Sequence, residues 1–248
     1  MPKLKIISYN ICALPYYVNL YGNPHERIHK IIKFIKQQRA HIICLQEAFD
    51  INIRKILIKN LDKHYYSYYM NSTSKYKLNN GLMIFTIYPI IYNKYILYNN
   101  ACGEDRFSEK GTLYCTIKVP TKKSFKKVTI LNTHLNADAI FSFKFLCKKV
   151  RIKQVNQLRN NIKNIKNDII LCGDLNIDII DDIKIYNNIT KYKKHIIKSD
   201  RYITFPSEKK QFDYIFYMSN NLIHSNYNYK VHKNRYSDHY PIELVFNL

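Results

Sequence analysis

The residues best suited to chemistry sit at the ends of apolar runs. Ile169, Ile170, Leu171 and Cys172 form one such run, and Gly173, Asp174, Leu175 and Asn176 close it. A run of that kind reads as a buried strand. The two-residue period sets Asp174 and Asn176 on one side of an extended chain and Leu175 on the other. The arrangement recurs along the chain. Asn10 follows the strand-like Leu4–Tyr9, Glu47 follows Ile42–Leu45, and His134 follows Val128–Leu131. Asp213 opens the run to Tyr217, and Asp238 with His239 precedes Ile242–Phe246. A sheet holds such strand ends rigidly at the rim of a cleft.

The set contains carboxylates, amides and imidazoles and no thiolate. Oxygen and nitrogen donors of this kind suit a hard cation such as Mg²⁺, which takes few carboxylates and keeps water for a phosphate. No ligand spacing marks a closed zinc site. Each residue alone also fits a surface acid, a loop histidine or an Asx turn. Recurrence at successive strand ends favours one shared site. The chain has no P-loop, Gly-x-Gly-x-x-Gly, Gly-x-Ser-x-Gly or His-Glu-x-x-His motif.

Helices must bring these ends together. Asn23 as N-cap, Pro24 at the first position and Glu26 in the capping-box place predict a helix ending near Arg39, with Ile28, Ile31, Ile32 and Ile35 on its apolar face. Asp50 caps a second helix carrying Ile53, Ile56, Leu57 and Leu61. Leu146, Val150, Leu158, Ile162 and Ile165 predict a long helix over about 144–166, and residues 181–200 read as helical and then irregular. Further strands are expected at Tyr65–Tyr69, Leu82–Ile87, Gly111–Val119 and, as an edge, within Ile223–Val231. Residues 92–108 suggest a ragged strand and a loop. Strands and helices do not alternate strictly. The pattern therefore favours an α/β (α+β) four-layer sandwich, two packed mixed β-sheets flanked by helices, over a doubly wound sheet.

The 248 residues show no linker or composition shift, so a single domain over 1–248 is expected. The net charge of +22 favours anionic partners, whether nucleic acid, membrane or phosphorylated small molecules, although the same lysines also fit a plain compositional bias. The six cysteines form no Cys-x-x-Cys pair. No leader-like or membrane-spanning apolar stretch is present, and a cytoplasmic monomer, at most peripheral to a membrane, is the expectation.

Taken in order, Ser8-Tyr9-Asn10, Leu45-Gln46-Glu47, Asn132-Thr133-His134-Leu135, Gly173-Asp174-Leu175-Asn176, Phe212-Asp213-Tyr214-Ile215 and Ser237-Asp238-His239-Tyr240-Pro241 resemble the endonuclease/exonuclease/phosphatase superfamily, the DNase I-like phosphodiesterases. Leu14-Pro15, Tyr21-Gly22, Arg27, Glu47-Ala48-Phe49-Asp50, Lys110-Gly111, and Arg151 with Gln154 resemble its neutral sphingomyelinase branch. Asn136 stands where that branch usually has Gln, and the chain has no Trp for a membrane-contacting loop. The run 139–145 is a candidate substitute.

The resemblance implies Mg²⁺, with Mn²⁺ as the alternative, bound by Glu47 with Asn10 near it and Asp238 on the outer side. It implies that His239, oriented by Asp213, binds phosphate or activates water. Asp174 would position the attacking water, Asn176 a phosphate oxygen, and His134 would donate to phosphate from the opposite wall. Which of Asp174 and His239 is base and which is acid stays open. The implied reaction is sphingomyelinase-like release of a phosphocholine headgroup at a phospholipid surface. A DNase-like nuclease acting on nucleic acid is the alternative, followed by a phosphoinositide phosphatase or a non-catalytic binding module.

Overall fold

The computed structural model describes residues 3–15, 21–122, 124–138, 144–189, 195–198, 201–221 and 226–248. Its strands are β1 (Lys3–Ala13), β2 (Ile42–Ala48), β3 (Tyr66–Tyr69), β4 (Met83–Thr86), β5 (Ile90–Leu97), β6 (Gly111–Pro120), β7 (Phe125–His134), β8 (Asp168–Asp174), β9 (His195–Ile197), β10 (Asp213–Ser219), β11 (Tyr227–Val231) and β12 (Ile242–Asn247). The helices are α1 (Pro24–Gln38), α2 (Ile51–Leu61), α3 (Lys144–Lys163) and α4 (Ile183–Ile189). The strands form two six-stranded sheets, ordered β11-β12-β1-β2-β4-β3 and β5-β6-β7-β8-β10-β9.

Alternation along the strands builds the layers. Leu4 and Ile6 face inward and meet Cys44, Ile130, Cys172 and Ile215 between the sheets. Ile7 and Tyr9, one residue out of phase, face outward and are covered by α1 and α2 through Ile28, Ile31, Ile53 and Leu57. On the other sheet, Leu131, Ile169 and Leu171 face α3 and α4 through Leu158, Ile162, Ile185 and Ile189. Each fully buried aliphatic side chain contributes about 1.5–3 kcal/mol before entropy is set against it. The result is the expected helix–sheet–sheet–helix sandwich.

Two connections place the polar strand ends. β1 and β2 run parallel through α1, and β7 and β8 run parallel through α3. Parallel neighbours end at the same edge, so Asn10 lies near Glu47 and His134 lies directly opposite Asp174. Antiparallel β10 pairs Asp213 with Asp174 from the other side. His134, Asp174 and Asp213 thus form one row across three adjacent strands.

The expected caps are present. The Asn23 side chain accepts from the His25 N–H, and that of Asp50 accepts from the N–H groups of Asn52 and Ile53. The stretch read as a ragged strand and a loop holds β5, whose pairing with β6 shifts register between Ile90 and Tyr92, followed by a loop with a 3-10 turn at Gly103–Phe107. β5 is a largely exposed edge strand whose apolar residues are split by Asn93 and Lys94. Within 181–200 the helix is short, and β9 adds a strand at a sheet edge. β8 stops at Asp174, and Asn176 has φ 49°. Asp174 and Asn176 therefore share a turn, not one side of an extended chain.

Candidate active site

Asn10 links the sheets at the cleft. Its Nδ2 donates to Glu47 Oε1 and to Asp174 Oδ2, each at 3.0 Å. Below it lies a buried polar floor. Gln46 Nε2 donates to Ser8 Oγ and to Asn132 Oδ1, and Asn132 Nδ2 donates to the carbonyls of Leu45 and Met83. Unpaired, such groups would be costly at zero exposure; paired, they fix the register of one sheet on the other.

Glu47 adopts φ 56°, a strained conformation for a side chain that is not glycine. Two arginines brace the surroundings. Arg54 donates from Nε to the Ala48 carbonyl at 2.5 Å and from Nη1 to the Met70 carbonyl at 2.6 Å. Arg27 donates to the carbonyls of Ile11, Cys12 and Tyr236, tying β1 to the segment that carries Asp238 and His239. Burial first, and then the Asp238 charge, push the Glu47 carboxyl up to about 7. A buried carboxylate with a second acid, Asp238, on the same cavity fits a site for a cation.

Asp174 is buried and accepts from the Asn176 N–H at 2.9 Å. Burial pushes it up to about 6, with Asp213 adding to the rise against the opposing charge of His239. Asn176 Nδ2 turns to the Leu135 carbonyl at 3.1 Å. His239 Nδ1 meets Asp213 Oδ2 at 2.7 Å, and its Nε2 lies 3.6 Å from Asp174 Oδ2. Burial alone would lower the imidazolium pKa. The carboxylates of Asp213 and Asp174 outweigh it and raise it to about 10.

His134 behaves differently. Burial, then the charges of Lys110 and His239, lower its pKa well below the ordinary value. Lys110 Nζ donates to His134 Nε2 at 3.0 Å and to the Leu135 carbonyl at 3.2 Å, and pairs with Asp105 at 3.1 Å. The ring is held neutral, with Nε2 an acceptor 3.5 Å from Asp174 and 3.9 Å from Glu47.

Among the described residues two groups bring possible metal-binding atoms within 4.8 Å of one another: Glu47 with His134 and Asp174, and Asp174 with Asp213 and His239. Either can coordinate a divalent ion by composition. The second contains a protonated imidazole engaged by Asp213, which offers no lone pair and better suits proton transfer. Both border a cavity of about 200 Å³ that Asn176, Asp238 and Arg151 also line.

All eight sequence-derived residues therefore meet in one place. Sequence reasoning singled out Arg27 and Lys110 without roles, and it missed Phe205, whose ring packs tilted against His239 with centroids 4.7 Å apart, and Thr204, whose Oγ1 accepts from the N–H groups of Phe212 and Asp213. No local pattern marks either. Of the suggested 139–145 run, residues 139–143 lie outside the described residues, while Phe145 is exposed at the start of α3. No helix among the described residues is long and apolar enough to cross a membrane.

Comparison with known proteins agrees with this geometry. Sphingomyelinase C 2 of Leptospira interrogans is 29% identical over 225 residues, covering 82% of this chain and 35% of that protein. A Bacillus cereus sphingomyelinase C is 29% identical over 203 residues, covering 71% of this chain and 58% of that one. The chain thus spans between about a third and three fifths of the length of these curated relatives. The crystal structure of sphingomyelinase C from Streptomyces griseocarneus shares the fold, with a TM-score of 0.82, 18% identity and full coverage of both chains. A family model described as Endonuclease/Exonuclease/phosphatase matches residues 7–239, and the chain, with its strand-end carboxylates and imidazoles converging on one cleft, belongs to that family.

Proposed function

We propose that this chain hydrolyses a phosphodiester by metal-assisted attack of water, releasing a phosphocholine-type headgroup from a sphingolipid. The observation that carries the reaction class is the Asp174 carboxylate, held by Asn10 between the Glu47 cluster and the Asp213–His239 pair. The relatives named sphingomyelinase C support the substrate class. Glu47, with Asn10 beside it and Asp238 on the outer side, would hold Mg²⁺ or Mn²⁺. The chemistry such an ion would supply there is polarisation of a phosphoryl oxygen and neutralisation of developing charge.

The remaining steps belong to the chain's own groups. His239, kept protonated by Asp213, donates from Nε2 to a phosphate oxygen or to the leaving oxygen. Asp174 orients the attacking water and takes its proton, because its carboxyl ionises near 6 while sharing the cleft with that donor. Asn176 fixes the Asp174 carboxylate through its backbone N–H. Its second amide hydrogen is the candidate for a phosphate oxygen. The resemblance implies that His134 donates to phosphate; with Lys110 donating to its Nε2, that atom accepts instead and lies 3.9 Å from Glu47. No covalent enzyme intermediate is required.

A nuclease reading is favoured by one observation, the net charge of +22, since lysine and arginine supply affinity for phosphate chains. An anionic membrane surface accounts for the same charge. The test is hydrolysis of sphingomyelin vesicles, plasmid DNA and an abasic duplex side by side with Mg²⁺, with Glu47→Gln as control. Phosphocholine release that disappears in the variant and on chelation supports the proposal. Cleavage of DNA with intact vesicles overturns the substrate, and inertness toward all three overturns the reaction class.

A further inference from the structure

Two elements carry the Asp213–His239 pair, and one residue outside both is bonded to each. Asp213 opens β10, and His239 lies in the loop before β12. Thr204 is fully buried between them. Its Oγ1 accepts from the N–H groups of Phe212 at 3.0 Å and Asp213 at 3.1 Å, and its carbonyl accepts from the Tyr240 N–H at 2.7 Å. The side chain of Thr204 thus holds the backbone of Asp213, and its main chain holds the residue next to His239. A short hairpin holds Thr204 in turn. Phe205 bridges antiparallel to Lys210, and the Lys210 carbonyl accepts from the N–H groups of Thr204 and Phe205, each at 2.9 Å. Phe205 closes the arrangement by packing its ring against His239.

The pair needs this support. Asp213 Oδ2 meets His239 Nδ1 at 2.7 Å, while the buried Asp213 Oδ1 is bonded by no protein group among the described residues. No second hydrogen bond aims the carboxylate, so its direction depends on its backbone. That backbone is supported by pairing with β8 and by Thr204. We infer that Thr204 is a positioning residue for the Asp213–His239 pair, setting the distance between the two through its Oγ1 on one partner and its carbonyl beside the other. Its bearing on catalysis rests on the proposed reading of that pair as the proton donor. The place demands a hydroxyl. Valine fills much the same space but accepts no hydrogen bond, and it would leave the Phe212 and Asp213 N–H groups without their acceptor. Serine keeps the acceptor and gives up only a methyl group.

The test compares Thr204→Val and Thr204→Ser with the parent in the full chain. Proton NMR needs neither substrate nor metal. The short Asp213–His239 bond should hold its proton in a low-field resonance, assigned by its loss in His239→Gln. The resonance should be present in the parent and in Thr204→Ser, and shifted upfield or lost in Thr204→Val. Its absence from the parent, or its retention unmoved in Thr204→Val, overturns the inference. Hydrolysis of sphingomyelin vesicles with Mg²⁺ gives the second reading. A displacement of about 1 Å costs roughly a hundredfold, so kcat should fall about 10–100-fold in Thr204→Val with KM within about threefold, and Thr204→Ser should recover it to within a few-fold. On an Asp213→Asn background, Thr204→Val should cost less than about threefold more, because groups that act as one unit are not additive. A further loss as large as in the parent means that Thr204 does not act through the pair and overturns the inference. If Thr204→Val does not fold, Thr204→Ala takes its place, and unfolding of both assigns Thr204 to stability alone and overturns it as well. A parent inert toward sphingomyelin refutes the proposed function and leaves the resonance to decide the role of Thr204, so the two failures are told apart.

Discussion

Gly173 offers a sharp test of how the site is built. It has φ 151°, and a Cβ added there would stand 1.9 Å from the Thr133 carbonyl oxygen and 2.9 Å from its carbon. Ordinary contact begins at about 3.4 Å, so Gly173→Ala must part β7 from β8 by roughly 1.5 Å. Those strands pair at a spacing of about 4.7–4.9 Å, and the gap would open one residue from the His134–Asp174 pair. The Leu135 N–H to Asp174 carbonyl bond, at 3.0 Å, and the Asn10 to Asp174 bond, also at 3.0 Å, both cross or abut it.

Backbone strain costs about 1–3 kcal/mol, and each weakened buried bond adds about 1 kcal/mol, giving a loss of about 3–5 kcal/mol. That is a large part of an ordinary domain's stability. A displacement of about 1 Å in reacting groups costs roughly a hundredfold in rate. Gly22→Ala is the matched control: φ is 81° but nothing lies within 4 Å, so only local strain of about 1 kcal/mol is expected. Melting temperature and Mg²⁺-dependent phosphodiester hydrolysis would be measured for both. If Gly173→Ala melts with Gly22→Ala and keeps activity within a few-fold of the parent, the close approach of β7 and β8 is not what positions the row.

Three further outcomes are expected. Asn132→Leu leaves the carbonyls of Leu45 and Met83 and the Gln46 amide short of partners and should cost about 2–4 kcal/mol; an unchanged denaturation midpoint would refute the polar floor. Asp213→Asn preserves shape but removes the charge beside His239, so activity should fall about 10²–10⁴-fold with melting within a few degrees of the parent; a variant above a tenth of parental activity counts against the pair. Burial would raise the Glu243 carboxyl, but bonds from His232 and Lys5 prevail and hold it below its ordinary value. A depressed carboxylate contributes stability above its unfolded pKa and loses it as pH falls through the folded one. Glu243→Gln should therefore cost about 1–2 kcal/mol near neutrality and flatten the stability curve between about pH 5 and 3. Parallel curves for variant and parent would contradict it.

The strands that matter most for the site were also the most legible. β2 and β8 are buried on both faces and carry apolar runs, Ile42–Leu45 and Ile169–Cys172, closed by polar residues; β1 is interrupted by Lys5 and Ser8 but is otherwise apolar up to Asn10. β5 is exposed along most of its length, and its Asn93 and Lys94 hide it from any hydrophobic pattern. α3 is blurred for a different reason. Its buried face includes Arg151 and Gln154, which serve the turn after His134, while Ile152 points outward. A helix that spends part of its inner face on a polar junction loses the periodicity by which helices are found.

The groups that hold the site are harder to read than the groups that form it. A carboxylate at a strand end announces itself because nothing in packing requires it there. Arg27 and Arg54 satisfy backbone carbonyls, and a carbonyl is available at every residue, so no partner in the sequence points to them. Lys110 does have an acidic partner, Asp105, but the two meet only because the 3-10 turn at Gly103–Phe107 folds one back on the other. Phe205 reaches His239 through a loop whose shape rests on Thr204 and the N–H groups of β10. Reactive groups are thus set by secondary structure, which leaves a period in the sequence. Their supports are set by tertiary closure, which leaves none, and for that reason the strand-end carboxylates and imidazoles are legible in the sequence and the residues that keep them in register are not.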